Sequence, residues 1–322
     1  SLNQDYNTVS ADFNSLNHTY DTLSSTYEDL LNQYQKAVAS LPLSPEPISA
    51  ETINMNYEWT FKGREWNLSL LVPESQYDYY QEKERTSTRD YSVYVTHPFD
   101  DEFINTIIMK FNFIALEMEY TEEEKINLVI SFVQSLPYTS DNVTTPYDEY
   151  PRYPLETLVD NGGDCEDTSI LTCALLKSMN YDVILIAPPR HMAVGVNIDT
   201  YGIGYVKNDK MYYYLETTGE GWAIGETPDA YKEEGAYTYE LIPTPIITHD
   251  WTASWKGSKV EVVINVSNEG TAIVSGIIVY AAFDAGEGYF WCLEVSEPFD
   301  LNFGRTYTTT LLLDYPPNNK QT

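Results

Sequence analysis

The chain has 322 residues, 43% of them hydrophobic, enough by length to build two domains and to bury a sizeable core. Its formal charge of −31 excludes nucleic acid and anionic membrane surfaces as partners, because both would repel it. No run of about 20 apolar residues fits a membrane span and no leader pattern opens the chain, so membrane association is expected only through a segment outside it.

Residues 2–41 carry a heptad seam. Leu2, Tyr6, Val9, Phe13, Leu16, Tyr20, Leu23, Tyr27, Leu30, Tyr34, Ala37 and Leu41 follow in alternating steps of four and three, which predicts one long helix. A helix of about 60 Å cannot bury its own stripe, so it needs a partner helix, a second copy of the chain or the globular part; self-association through 2–41 is one expectation. Leu41-Pro42 ends the helix and Pro45-Glu46-Pro47 opens a linker. Tyr57–Phe61 and Glu65–Val72 read as a hairpin turning at Lys62-Gly63-Arg64, and Tyr77–Arg85 reads as a helix. Phe103, Ile107, Ile108, Phe111, Ile114, Ala115 and Met118 make 100–119 an amphipathic helix. Thr121-Glu122-Glu123-Glu124 is a capping box that starts the next, ending near Leu136. Pro137–Pro154 is polar and is expected as a loop beside the cleft.

The stretch Asn161-Gly162-Gly163-Asp164-Cys165-Glu166-Asp167 comes next. Two glycines permit a tight turn, and Ile170, Leu171, Ala174, Leu175 and Met179 recur at helical spacing, which sets Cys165 at the start of a buried helix. The positive dipole end there favours a thiolate and is expected to lower the thiol pKa. A nucleophile needs a base and a group to orient it. His18 lies in the heptad helix, His97 just before a helix and His249 in a linker, which leaves His191 as the base, opening an alternating strand. A second strand, Met211–Leu215, ends in Glu216, placed to hold the imidazole; Glu220 and Asp199 are the nearby alternatives.

This order of Cys, strand-borne His and strand-end acid resembles the transglutaminase-like, papain-related superfamily, with Tyr153–Leu158 before the cysteine turn and Tyr214–Thr218 after it as further matching segments. The resemblance implies an α+β core in which Cys165 attacks a carbonyl, His191 carries the proton and Glu216 orients it. The family's third member is usually Asp, so Glu216 reaches from one methylene further back. An upstream Trp that supports the oxyanion in the transglutaminases has no counterpart between Trp66 and Trp222, and Tyr138 with the Cys165 N–H is the candidate substitute. Some periplasmic bacterial members that resemble this pattern are calcium-dependent, and Asp164, Glu166 and Asp167 offer oxygens. Adjacent residues at a helix start point different ways, however, and Asp164 or Asp167 can simply cap the helix, so no cofactor is expected, with calcium at Asp164, Glu166 and Asp167 as the lesser alternative. Four scattered histidines show no zinc spacing.

Pro243 and Pro245 follow an irregular stretch and mark a boundary. From Ile247 on, short alternating runs, among them Val260–Val266, Ile273–Phe283, Tyr289–Val295 and Thr306–Leu313, predict a small β-sandwich of immunoglobulin-like type. The expected organisation is a heptad helix over 1–41, a transglutaminase-like domain over 42–245 and a sandwich over 246–322. Three cysteines cannot all pair; a Cys173–Cys292 bridge stays geometrically open, and a buried free thiol is the expected state of each. Asn17, Asn67, Asn142 and Asn265 begin glycosylation sequons, and with the polar, tyrosine-rich composition they suggest an extracellular or cell-surface place. The expected function is a thiol hydrolase acting on a peptide or isopeptide bond of a protein or peptide substrate. The alternative is a catalytically inert binding or structural module of the same fold.

Overall fold

The computed structural model describes residues 51–83, 85, 88–144 and 149–315; the heptad helix expected over 2–41 and its linker lie outside them. Strands β1 (Thr52–Phe61) and β2 (Arg64–Pro73) form the expected hairpin, with Trp59 opposite Trp66. Lys62 and Gly63 both take positive φ at its turn, the twist that two-residue hairpins favour. Its alternation puts Tyr57, Trp59, Leu68, Leu70 and Val72 in the core. Helices α1 (Glu74–Glu82), α2 (Ser92–Val95), α3 (Asp101–Glu117) and α4 (Glu122–Gln134) follow. The capping box before α4 is present: the Glu124 N–H donates to Thr121 Oγ1 at 3.2 Å and the Thr121 N–H to Glu124 Oε2 at 2.8 Å. The expected loop over 137–154 holds α5 (Asp141–Thr144), after which α6 (Pro154–Val159) leads into the cysteine turn.

Helix α7 (Cys165–Ser178) is the centre of the fold. It is buried without a break from Glu166 to Leu176, because α2, α3, α4, α6 and two strands pack around it, and the buried polar side chains Asp167, Thr168 and Ser169 in its first turns have hydrogen-bond partners. The adjoining antiparallel sheet runs β5 (Gly204–Lys207), β6 (Lys210–Leu215), β4 (Ala193–Val196), β3 (Val183–Ala187), β7 (Tyr237–Glu240). Strands β3, β5 and β7 are additions to the sequence reading, and β7 occupies part of the stretch expected to be irregular. The apolar run of β3 is covered on both faces, one by α7 and the other by a cluster with Tyr212 and Tyr214, so it lacks the alternation that marks a half-exposed strand.

The remainder is strand: β8 (Ile247–Lys256), β9 (Lys259–Asn268), β10 (Val274–Ile277), β11 (Tyr280–Asp284), β12 (Phe290–Val295), β13 (Phe299–Leu301) and β14 (Arg305–Asp314). They pair as β14-β9-β8, β10-β13 and β11-β12. His249, expected in a linker, lies within β8. Ile264, Val266, Leu301, Leu311 and Leu313 make a separate small core. Lys83 Nζ to Glu269 Oε2 at 2.8 Å and Thr96 Oγ1 to Thr271 Oγ1 at 2.9 Å tie this part to the helical one. No helix among the described residues is long and apolar enough to cross a membrane.

A buried polar group lies between α1 and α3. The Tyr80 hydroxyl meets His97 Nδ1 at 2.9 Å, and the Tyr80 ring stacks on Tyr153 at 4.2 Å. Burial, then the nearby Lys83 charge, lowers the His97 pKa to about 3, and burial raises that of Asp100 to about 8. The folded chain therefore keeps a proton on Asp100 that the unfolded chain releases near pH ~3.9, so this group's contribution to stability falls as pH rises from about 4 to about 8. His97 acts in the opposite sense, its contribution being lost below about pH 6.5 as the unfolded imidazole takes a proton that the folded one refuses. Between those limits, from about pH 6.5 to 8, Asp100 alone of the two changes charge. Asp100→Asn is expected to remove on the order of 1–2 kcal/mol of decline in unfolding free energy over that interval; urea melts of both proteins at the two ends measure it, and parallel slopes refute it.

The turn before α7 makes a second expectation. Gly162 has φ +135°, and a Cβ there would lie 2.2 Å from the Pro137 carbonyl oxygen. Gly162→Ala therefore combines a conformation L-residues avoid with a backbone clash, and a loss of more than about 1 kcal/mol is expected in thermal unfolding. An unchanged melting temperature would show that the turn can relax at no cost.

Candidate active site

Local chain geometry sets Cys165. The Gly163 N–H donates to the Pro137 carbonyl at 3.3 Å and the Thr139 N–H to the Gly163 carbonyl at 2.9 Å, so the segment after α4 pairs with the glycine turn. A Cβ on Gly163 would fall 2.3 Å from Asp167 Oδ2, which is why the second glycine is needed as well. Asp167 reaches back to accept from the Asp164 N–H at 3.2 Å, capping α7.

Asp167 belongs to a buried ion cluster. Arg152, 1% exposed, places Nη1 2.6 Å from Asp167 Oδ2 and 2.8 Å from Asp141 Oδ1, and Nε 2.9 Å from Asp160 Oδ2. The Arg152 N–H donates to Asp167 Oδ1 at 2.7 Å. Both Asp167 oxygens are thus committed, and Asp167 drops out of the candidate calcium group. Asp164 and Glu166 remain, with Cys165 between them; one ligand atom of each lies within 4.8 Å of the others. Asp164 Oδ1 is buried and has no hydrogen-bond partner among the described residues. Burial, followed by Asp164, raises the Glu166 pKa to about 10.

Cys165 is half-buried, with Sγ 3.3 Å from Glu166 Oε2 and accepting from the Met192 N–H. The lowered pKa expected from the helix start is not found: burial, then the Glu166 and Asp164 charges, push the thiol well above its ordinary value. Loss of solvent and the acidic neighbours outweigh the helix dipole, an effect of order 1 kcal/mol. The Met192 contact brings the sulfur to the segment that begins with His191.

His191 and Glu216 meet because β4 and β6 are neighbours, with Val194 opposite Leu215. His191 Nε2 lies 2.9 Å from Glu216 Oε2. The same oxygen accepts from the Tyr214 hydroxyl at 3.0 Å, while Oε1 accepts from the Thr217 and Thr218 N–H groups at 3.1 and 3.0 Å and from Thr218 Oγ1 at 2.6 Å. Burial pushes the Glu216 pKa up, but His191 and Thr218 outweigh it and hold the carboxyl below its ordinary value. Of the three acids considered, the one on His191 is Glu216 and not Glu220 or Asp199. Tyr138 pairs with Gly163 beside the nucleophile turn and is 62% exposed. Burial, then the charges of Asp164, Cys165 and Glu166, push its pKa up to about 12, as expected of a phenol close to all three. His97 and His249 lie elsewhere, and Cys173 and Cys292 are free.

Three contributors escaped the sequence reading. Gln134, at the end of α4, donates Nε2 to the Glu216 and Trp222 carbonyls at 2.8 and 2.9 Å and accepts from the Gly221 N–H at 3.2 Å, fixing the loop after β6. Thr217 Oγ1 joins Thr168 and Ser169 at 2.9 and 3.1 Å, tying that loop to α7. Tyr231 lies parallel to the His191 ring at 4.7 Å. Only the capping-type spacing around Asp167 had a local signal; these contacts join segments far apart in the chain.

A family model described as a transglutaminase-like domain matches residues 101–214. No curated protein matches the chain. Among solved structures, the chain is similar to Legionella pneumophila LapG: the EGTA-treated form at 16% identity and TM-score 0.32, and a second structure at 17% and 0.31, both covering 44% of this chain and 83% of that one. The calcium-bound form of LapG is similar at 16% and 0.28, covering 50% and 86%. That a calcium-bound form is among the similar structures stands against the expectation of no cofactor. Residues 101–214 are a transglutaminase-like domain.

Proposed function

We propose that the chain is an extracellular thiol hydrolase that cuts a peptide or isopeptide bond of a protein substrate through an acyl-enzyme on Cys165. The observation that carries this reading is the 2.9 Å bond between His191 and Glu216, made next to the residue whose N–H reaches the Cys165 sulfur. With Nε2 held by Glu216, Nδ1 is the nitrogen that takes the thiol proton. The sulfur then adds to the carbonyl carbon, and the oxyanion is met by the Cys165 N–H and the Tyr138 hydroxyl. His191 returns its proton to the leaving nitrogen as the C–N bond breaks. Water, deprotonated by the same imidazole, attacks the thioester; the acid leaves and the thiol is restored.

Calcium belongs to this reading. The unpartnered, buried Asp164 Oδ1 next to the Glu166 carboxyl is a donor set of hard oxygens with no cation of its own. When bound, calcium supplies the positive charge that offsets the carboxylates now raising the Cys165 thiol. Self-association through 2–41 belongs to the proposal, and 246–322 is read as an immunoglobulin-like sandwich that spaces or anchors the 42–245 domain on a cell surface. The exposed sequon residue Asn142 fits an extracellular setting. The half-buried, acid-flanked thiol favours a second reading, a catalytically inert module of the same fold.

Alkylation separates the two. With calcium present, iodoacetamide is expected to modify Cys165 faster than the half-buried Cys292, and His191→Ala to slow Cys165 by about tenfold or more. Equal, slow labelling of both cysteines, indifferent to His191, would leave the inert module. Calcium is expected to raise the melting temperature of the full chain, by the equivalent of about 2.7 kcal/mol at 100 times its dissociation constant, and Asp164→Asn to abolish that rise. No calcium-dependent shift in the unaltered protein would remove the ion from the proposal.

A further inference from the structure

We propose that Tyr231 is a positioning residue that clamps the His191 imidazole against Glu216 and closes their hydrogen bond to water; this rests on the reading of Cys165, His191 and Glu216 given above. The two rings are 3° from parallel with centroids 4.7 Å apart, within the range in which stacked aromatic pairs attract beyond their buried area. An imidazole that shuttles a proton becomes a cation for part of the cycle, and a phenol face over it stabilises that form as well. The Nε2 edge is held by Glu216 and the face by Tyr231, so the ring cannot turn about its Cβ–Cγ bond without breaking one contact and losing the other.

The tyrosine is delivered by construction and not by a passing contact of a loose loop. Its strap, 226–236, leaves the sheet at Gly225. The Gly225 N–H donates to the Tyr214 carbonyl at 2.7 Å, and its carbonyl accepts from the Ile203 N–H at 2.9 Å. Gly202 and Gly225 pack so closely that a Cβ on either would lie within 2.2 Å of the other segment's backbone. Tyr214 is the residue whose hydroxyl donates to Glu216 Oε2, so one strand position aims the acid and anchors the strap. Within the strap the Tyr231 N–H donates to the Pro228 carbonyl at 2.9 Å and the Glu234 N–H to the Tyr231 carbonyl at 3.2 Å. The Tyr205 hydroxyl bonds the Glu234 carbonyl at 3.3 Å and ties the far side back to β5.

Tyr231→Ala and Tyr231→Phe in the full chain test this, with His191→Ala as reference. Two quantities are read: the alkylation rate of Cys165, and the water exchange of the His191 Nε2 proton by NMR of histidine-labelled protein, in which four histidines give few signals. Tyr231→Ala is expected to slow alkylation by roughly three- to tenfold and to speed Nε2–H exchange, and Tyr231→Phe, which keeps the ring, to restore both. A Tyr231→Ala protein that matches the unaltered one in both, while His191→Ala is slow, overturns the clamp and leaves the thiol chemistry standing. Tyr231→Phe as impaired as Tyr231→Ala also overturns it, because the hydroxyl and not the stacked ring would then matter. If His191→Ala has no effect on Cys165, the reading beneath the clamp fails first.

Discussion

The site depends on the register of two short strands. With Val194 opposite Leu215, His191, just ahead of β4, and Glu216, just past β6, arrive at the same end of the sheet's strands. A slip of one residue would turn every side chain of β6 to the other face, taking Glu216 off the imidazole. The register is strongly specified because β4 is buried along its whole length. Gly195 reinforces it: a Cβ there would sit 2.7 Å from Ile184 and 3.0 Å from Tyr212, so this position admits only the side chain that is absent.

The second constraint is electrostatic. Acidic side chains crowd the start of α7, and the fold treats them in two ways. Asp167, Asp141 and Asp160 are gathered by one buried guanidinium, whose planar fork suits several carboxylates at once. Among the described residues Asp164 and Glu166 receive no such cation, and the thiol between them is left in a field that favours its neutral form. The same few residues thus combine a cap, a settled ion cluster and an unsettled pair of acids, and the chemistry of Cys165 is governed by the last of these.

Much of this was legible along the chain wherever the signal was local. The hairpin at Lys62-Gly63, the Thr121 capping box, the amphipathic period of α3 and the glycine turn ahead of Cys165 are written in neighbouring residues. The pairing of His191 with Glu216 was reachable because both stand at ends of recognisable strands. Strand β3 was missed because burial on both faces erases alternation, and β5 and β7 because four residues are too few to show it. Gln134 and Tyr231 were invisible, each acting across a long stretch of chain on a partner that nothing nearby announces.

The sequence by itself determined that a cysteine would open a buried helix after a two-glycine turn, and that one histidine and one acid would end strands downstream, since turn, cap and periodicity are short-range properties of the backbone. Only the tertiary structure decided which acid meets the imidazole, that Asp167 serves Arg152 and leaves the group around the sulfur, and that the thiol is raised and not lowered. Those outcomes depend on distance and desolvation between segments remote in the chain, and Coulomb energies and burial have no counterpart in the order of residues.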